Sequence, residues 1–254
     1  MKFKGKKALI TGSSRGLGKA IALNLAKAGC DIIVHYRRDE GAAAGMVQEL
    51  QQLGVNADLA QADLVDIQQV KKLWQEIKVK HPQIDFFIAN AASTAFKPLL
   101  MVEEKHIQMT FDLVVKGFVL GVKEVVNVMP PGGAIIAISG MDTLRVCPNH
   151  GLLGAAKASL EMLIRYYAVE LAEKKIYCYG LNPGFLDTDS TRFYLGSGFE
   201  QVLGKVQSQA PYPAATQSDE MAKLVNFLCT EAARSLTGQT LIADGGSNSL
   251  FNLG

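Results

Sequence analysis

Along the chain, short runs of consecutive apolar residues alternate with longer stretches in which apolar residues recur every three or four positions. The short runs fall at 8–11, 31–35, 58–61, 85–89, 134–139, 176–181 and 240–243, each of strand length and each with turn residues nearby. Between them, sets such as Leu17, Ile21, Leu25 and Ala28, or Leu160, Leu163, Tyr167 and Leu171, line one face of a helix. About seven strands alternating with helices predict an α/β fold, a doubly wound parallel sheet with right-handed crossovers and helices on its flanks. One stretch departs from the rhythm. Residues 184–216, with glycines at 196 and 198 and prolines at 211 and 213, read as a long irregular loop, and a connection of that length in a compact domain is usually a lid or binding loop.

Composition narrows the picture. The 254 residues, 48% hydrophobic and 20% charged, can bury a substantial core, which excludes a disordered chain or a miniature disulfide scaffold. No repeat, charge block or low-complexity linker divides them, so 1–254 reads as a single domain with 184–216 as an internal lid. Twenty-six basic against 24 acidic side chains give a net charge of +2, too little for a nucleic-acid or anionic-membrane partner. Cys30, Cys147, Cys178 and Cys229 are scattered through apolar stretches and read as reduced thiols of a cytoplasmic protein. His35, His81, His106 and His150 make no pair at ligand spacing, so no metal is expected. The N-terminal residues fit no signal peptide. The most apolar long segment, 113–129, carries Lys116, Lys123 and Glu124, which argues against a membrane span.

The candidate chemistry begins where the first strand meets the first helix, at Thr11-Gly12-Ser13-Ser14-Arg15-Gly16-Leu17-Gly18. Glycines there let the backbone turn tightly and approach a pyrophosphate, which then sits on the N–H groups of a helix N-terminus. The second strand ends in His35-Tyr36-Arg37-Arg38, where a dinucleotide lacking a 2′-phosphate would meet an acidic residue. With Arg15, the two arginines suit a phosphate instead, so NADPH (NADP) is the expected cofactor. Asp39 and Glu40 follow directly and offer an alternative use for these arginines as a solvated, ion-paired surface. Further candidates stand at later strand ends. Asp63, followed by Leu64, faces the adenine, and Asn90-Ala91-Ala92 lets backbone lie close to a flat ligand. Pro183-Gly184 leads to Thr188, whose hydroxyl is placed near the nicotinamide or pyrophosphate.

Together these residues resemble the short-chain dehydrogenase/reductases over essentially the whole chain, through Thr11-Gly-x3-Gly-x-Gly18, Asp63, Asn90-Ala-Ala92, Lys157, Pro183-Gly184 and Asp244-Gly245-Gly246. Within that family the chain is most similar to the NADPH-dependent bacterial enoyl-acyl-carrier-protein reductases of the third class, through Asn90-Ala-Ala-Ser93, Arg165-Tyr-Tyr-Ala-Val-Glu-Leu171, Asp187-Thr-Asp189 and Thr237-Gly-Gln-Thr240. The resemblance implies a Rossmann-type sheet and a cofactor site made of Gly12, Ser14, Arg15, Gly16, Leu17, Gly18, Arg37, Arg38, Asp63, Leu64, Asn90, Ala91, Ala92, Lys157, Pro183, Gly184 and Thr188. It implies a homotetramer or homodimer built through helices within 116–129 and 154–171, a role in fatty acid biosynthesis, and an acyl thioester substrate that an acyl carrier protein could deliver.

The catalytic positions depart from the pattern. The family's tyrosine falls on Leu153 in ketoreductase spacing and on His150 in enoyl-reductase spacing. Its serine falls on Gly140, beside Ser139, and its asparagine on Val114; only Lys157 remains. A leucine cannot give a proton to a carbonyl oxygen, so ordinary ketone reduction loses its acid. Reduction of an enoyl thioester needs a hydrogen bond to an enolate oxygen, which an imidazole at His150 supplies through one N–H even when neutral. Lys157 is also expected to hold the nicotinamide ribose. Phe193, Tyr194, Leu195 and Phe199 are expected to form an apolar lid cluster, with Tyr194 as a spare phenol. Two functions follow: an NADPH-dependent oxidoreductase reducing an enoyl thioester or similar activated alkene, and, as the alternative, a cofactor-binding protein without ordinary hydride transfer.

Overall fold

In the computed structural model, which describes residues 1–212 and 217–249, seven parallel strands form one sheet. They are β1 (Lys7–Ile10), β2 (Asp31–Tyr36), β3 (Ala57–Gln61), β4 (Phe86–Ala89), β5 (Ala134–Ile138), β6 (Tyr177–Asn182) and β7 (Thr240–Ile242), in the order β3-β2-β1-β4-β5-β6-β7. The order reverses at β1, which pairs with β2 on one side and β4 on the other. The crevice beyond the carboxyl ends of these strands is where an open parallel sheet binds its ligand. Each predicted strand is present, and no strand end is displaced by more than one residue.

Both faces of the sheet are buried, which is why the strands read as continuous apolar runs. Leu9, Ile33, Phe87 and Ile135 enter one layer with Val70, Trp74 and Ile77 of α3 (Ile67–Lys80), Phe118 and Val122 of α5 (Gly117–Val125), and Leu160 and Ile164 of α6 (Gly151–Glu170). Their neighbours Ile10, Val34, Ile88 and Ile136 enter the other with α1 (Gly16–Lys27), α2 (Glu40–Gln52) and α9 (Ser218–Leu228). Full burial of each such side chain contributes about 1.5–3 kcal/mol. Cys30, Cys178 and Cys229 are buried free thiols, and Cys147 is half-buried. On the same layer as α3 and α6, α4 (Glu104–Phe111) runs into α5 through a π-turn at Asp112–Lys116.

The region expected to be an irregular lid is mostly helical. After Thr188, α7 (Asp189–Leu195) and α8 (Phe199–Gln209) are joined by a 3₁₀ turn at Gly196–Gly198, while 213–216, including Pro213, lies outside the described residues. The glycines that suggested a loop punctuate two short helices, with Gly196 at positive φ just past the first. Nor do the four apolar side chains cluster. Phe199 is buried against Phe185 with the Arg192 guanidinium 4.1 Å over its ring, Phe193 is 81% exposed, and Tyr194 turns toward Phe96 and the loop that enters α6. Among the described residues, no helix is long and apolar enough to cross a membrane.

Candidate active site

Two buried hydroxyls shape the first strand end. Thr11 Oγ1 accepts from the backbone N–H groups of Asn90 and Ala91, both at 2.9 Å, and ties the β4 loop to the β1 turn. Ser13 Oγ donates to the Ile10 carbonyl and accepts from the His35 N–H, which ties the same turn to β2. Asn90 completes the joint, because its amide donates to the carbonyls of Thr11 (3.0 Å) and Gly12 (3.2 Å). Asn90 therefore shapes the glycine turn with its side chain and faces the crevice with its backbone, beside Ala91 and the exposed Ala92.

Within the turn, Gly12 and Gly16 have positive φ, and a Cβ on Gly18 would stand 2.4 Å from the Gly12 carbonyl oxygen. A Cβ on Gly16 would meet nothing within 4 Å, so the turn is open on its outer side. Leu17 anchors α1 in the core, and Ser14 is half-buried at the turn. One support was not legible as such in the sequence: the Gly12 N–H donates to Nδ1 of His35 at 3.1 Å. Burial pushes His35 down to about 4, against the Ala62 backbone and the Asp63 charge, so the ring is neutral and keeps its acceptor nitrogen at neutral pH.

Arg15, Arg37 and Arg38 are exposed, and none of the three makes an ion pair among the described residues. The alternative of pairing with Asp39 is not realised, because that carboxylate accepts the Ala42 N–H and caps α2. Asp63 is held by its own loop: its N–H donates to Gln69, and its Oδ1 accepts from Val65. Leu64 is buried and packs near Gly117. After β6, Pro183 is buried and Gly184 lies at positive φ against Asp244, where a Cβ would come within 2.7 Å of the Asp244 side chain. Thr188 caps α7, accepting from Thr191 N, so its hydroxyl has a structural duty in this conformation. The chain thus provides a glycine cradle at a helix N-terminus with unpaired guanidinium groups beside it, a donor set that fits a phosphorylated dinucleotide.

The other half of the crevice lies between β5 and α6. Lys157 is 5% exposed and donates to the Ile138 carbonyl at 2.5 Å. Burial pushes it down to about 8, while the Asp142 carboxylate holds it up, so it remains an ammonium at pH 7. Gly154, Ala155 and Ala156 before it are a turn of α6 itself. Ser139 donates its hydroxyl to Glu161, one helical turn beyond Lys157, and Thr143 donates to the same carboxylate at 2.8 Å. Asn182 adds bonds to the Gly140 carbonyl and to Thr143. Ser139 is therefore a member of a bracing network in this conformation. Val114 sits in the π-turn, buried with the core, and brings no polar group.

His150 is set by a tight turn, with Asn149 at φ 62 and the His150 N–H donating to Cys147, and its own carbonyl accepts the first bond of α6 from Gly154. Its ring packs 4.9 Å from Phe96 and 4.2 Å, edge to face, from Tyr194, whose hydroxyl donates to the Pro148 carbonyl. Burial first, and then Cys147, push the Tyr194 phenol up, so it stays protonated. His150 Nδ1 lies 3.4 Å from Asp142 Oδ2, and Nε2 is buried with no hydrogen-bond partner among the described residues. The ammonium of Lys157 is taken up by Ile138, so the charged group against the imidazole is a carboxylate. Sequence reading passed over Asp142, Glu161 and Phe96, because their partners lie across a 3₁₀ turn, a strand end and a loop, with no local spacing to mark them.

A family model described as Enoyl-(Acyl carrier protein) reductase matches residues 12–248. The 1-cyclohexenylcarbonyl-CoA reductase of Streptomyces collinus is 34% identical over 94% of this chain and 85% of its own length. An uncharacterized oxidoreductase of Methylorubrum extorquens is 31% identical over 96% of this chain and 98% of its own. Among solved structures, a short-chain dehydrogenase from Burkholderia cenocepacia in complex with NADP superposes with a TM-score of 0.90 at 27% identity, covering 98% of this chain and 100% of that one. With the seven-stranded parallel sheet and its glycine turn, these likenesses establish that the chain belongs to the short-chain dehydrogenase/reductases, among enoyl-reductase-like relatives.

Proposed function

We propose that the protein is an NADPH-dependent reductase of an enoyl thioester, linked to coenzyme A or an acyl carrier protein, or of a similarly activated alkene. What carries this reading is the coexistence of a phosphate-suited glycine cradle, with Arg15, Arg37 and Arg38 in no ion pair among the described residues beside it, and an imidazole held at the start of α6. Bound NADPH would supply hydride to the β-carbon of the alkene and be left as NADP, and a proton from solvent would complete the α-carbon. The first turn of α1 would hold the pyrophosphate, and the arginines the 2′-phosphate. Lys157 would hold the ribose hydroxyls as an ammonium, a role that is lost as pH rises through about 8. His150 would donate a hydrogen bond to the thioester oxygen as it becomes an enolate oxygen, a contribution of a few kcal/mol.

The surroundings suit an acyl thioester. Phe96 and Tyr194 close over His150, and a Cβ on Gly151 would lie 2.8–3.0 Å from the side chain of Leu99, the first of three exposed apolar residues, Leu99, Leu100 and Met101. Because Nε2 is covered, substrate reaches it when α7 and its Tyr194 shift. The Streptomyces collinus relative, named for a cyclohexenylcarbonyl thioester, supports an alkene conjugated to a thioester carbonyl. Met162, Tyr166 and Val169 leave an exposed apolar stripe on α6, and we assign that stripe to a homodimer or homotetramer contact.

Leu153 favours a second reading, a dinucleotide-binding protein with no hydride transfer. Purified protein incubated with NADPH and a panel of enoyl and 3-oxoacyl thioesters separates the two. NADPH oxidation with saturated acyl product supports the reductase, and binding without turnover across the panel supports the alternative.

A further inference from the structure

The position on which the family's serine falls is Gly140, and the space beside it is already filled. A Cβ there would stand 2.6 Å from Asp142 Oδ1, so the carboxylate occupies the volume that a side chain at 140 would need. Asp142 is itself enclosed, with its side chain 6% exposed and its carbonyl oxygen 2.7 Å from where a Cβ on Gly154 would be. One carboxylate oxygen thus lies over Gly140, while the other faces Nδ1 of His150. The distance of 3.4 Å is long, as such bonds often are before substrate tightens them.

We infer that Asp142 is the positioning residue of this site: its carboxylate fixes a proton on His150 Nδ1, aims Nε2 at the substrate oxygen, and balances the charge of Lys157. The inference rests on the enoyl-reductase reading for its catalytic meaning, though not for its geometry. The proton location follows from chemistry, since a carboxylate opposite Nδ1 accepts and an unprotonated nitrogen would repel it. A ring with its proton on Nδ1 can donate from Nε2 only as an imidazolium, so the donor is the Asp142–His150 ion pair rather than the neutral ring expected from sequence. The other titratable groups nearby are the Tyr194 phenol against the ring and the Cys147 thiol within electrostatic range of both Tyr194 and Asp142. Glu161, also on α6, is turned to Ser139 and Thr143.

Proton NMR of the free protein reads the geometry directly. A low-field imidazole N–H resonance, assigned by its absence in His150→Ala, is expected in the wild type. It should vanish in the nearly isosteric Asp142→Asn and in Gly140→Ser, which crowds the carboxylate without touching its charge. In assays with an enoyl thioester, Asp142→Asn should lower kcat about tenfold or more while the NADPH KM changes less than about threefold. Because Asp142 also holds Lys157 up, the alkaline fall in kcat should move to lower pH. Persistence of the resonance in both variants, or an unchanged kcat and pH profile in Asp142→Asn, overturns the inference. If the wild type turns over no thioester, the enoyl-reductase reading fails, and the resonance still decides where Asp142 acts.

Discussion

The glycine-turn half of the crevice and the β5–α6 half use different materials. The first is made of backbone: Gly12, Gly16 and Gly18 set the turn, and Thr11, Ser13, Asn90 and His35 hold it through bonds to main-chain groups. The second is made of side chains: Asp142 faces His150, which packs on Tyr194, Glu161 accepts from Ser139, and buried Lys157 donates to the Ile138 carbonyl. Backbone geometry leaves little room for variation, because each glycine answers to a steric limit. Side-chain chemistry can be exchanged provided that a donor, a charge and a shape remain. That difference lets the turn keep its glycine spacing beside a half built from His150, Asp142 and Lys157.

The sharpest break should come from the arginines. Each charge-assisted bond to a phosphate is worth about 1.5–3 kcal/mol, so Arg37→Ala/Arg38→Ala should weaken NADPH by about a hundredfold or more and leave NADH nearly unchanged, as measured by the KM for each cofactor. In the other half, His150→Ala should lower kcat about a hundredfold with a small change in the NADPH KM. An equal loss in KM would place His150 in binding instead. A third effect belongs to stability. His35 titrates near 4 when folded and near 6.5 when unfolded, so the unfolded chain binds more protons between these values. Stability that is complete above 6.5 should therefore fall by about 3 kcal/mol as pH drops to 4, and urea unfolding of His35→Gln should show less of this loss. Smallest, Gly18→Ala forces a Cβ against the Gly12 carbonyl and should cost about 1–3 kcal/mol, with a weaker grip on NADPH.

The same contrast governs how much could be read in advance. Buried parallel strands are continuous apolar runs, so all seven were legible, as was the glycine turn that follows the first. Arg37 and Arg38 were legible because an acid was missing where one is usual. The helices α7 and α8 were hidden by Gly196 and Gly198, which signal a break without saying that the break is one turn long. Asp142 was hidden more completely. Its partners are Nδ1 of His150, the space above Gly140 and the charge of Lys157, and none of these leaves a periodic trace. His35 looked like one of four scattered histidines until the fold set its ring against the Gly12 N–H.

On the proposed function, a site built around a carboxylate-held imidazole transfers hydride to an alkene. Mass spectrometry of an enoyl thioester incubated with the protein and NADPH tests it directly. A product two mass units heavier is expected, formed in step with NADPH loss and about a hundredfold more slowly by His150→Ala. Recovery of unreacted thioester from a protein that binds NADPH, or an undiminished rate in His150→Ala, would contradict it.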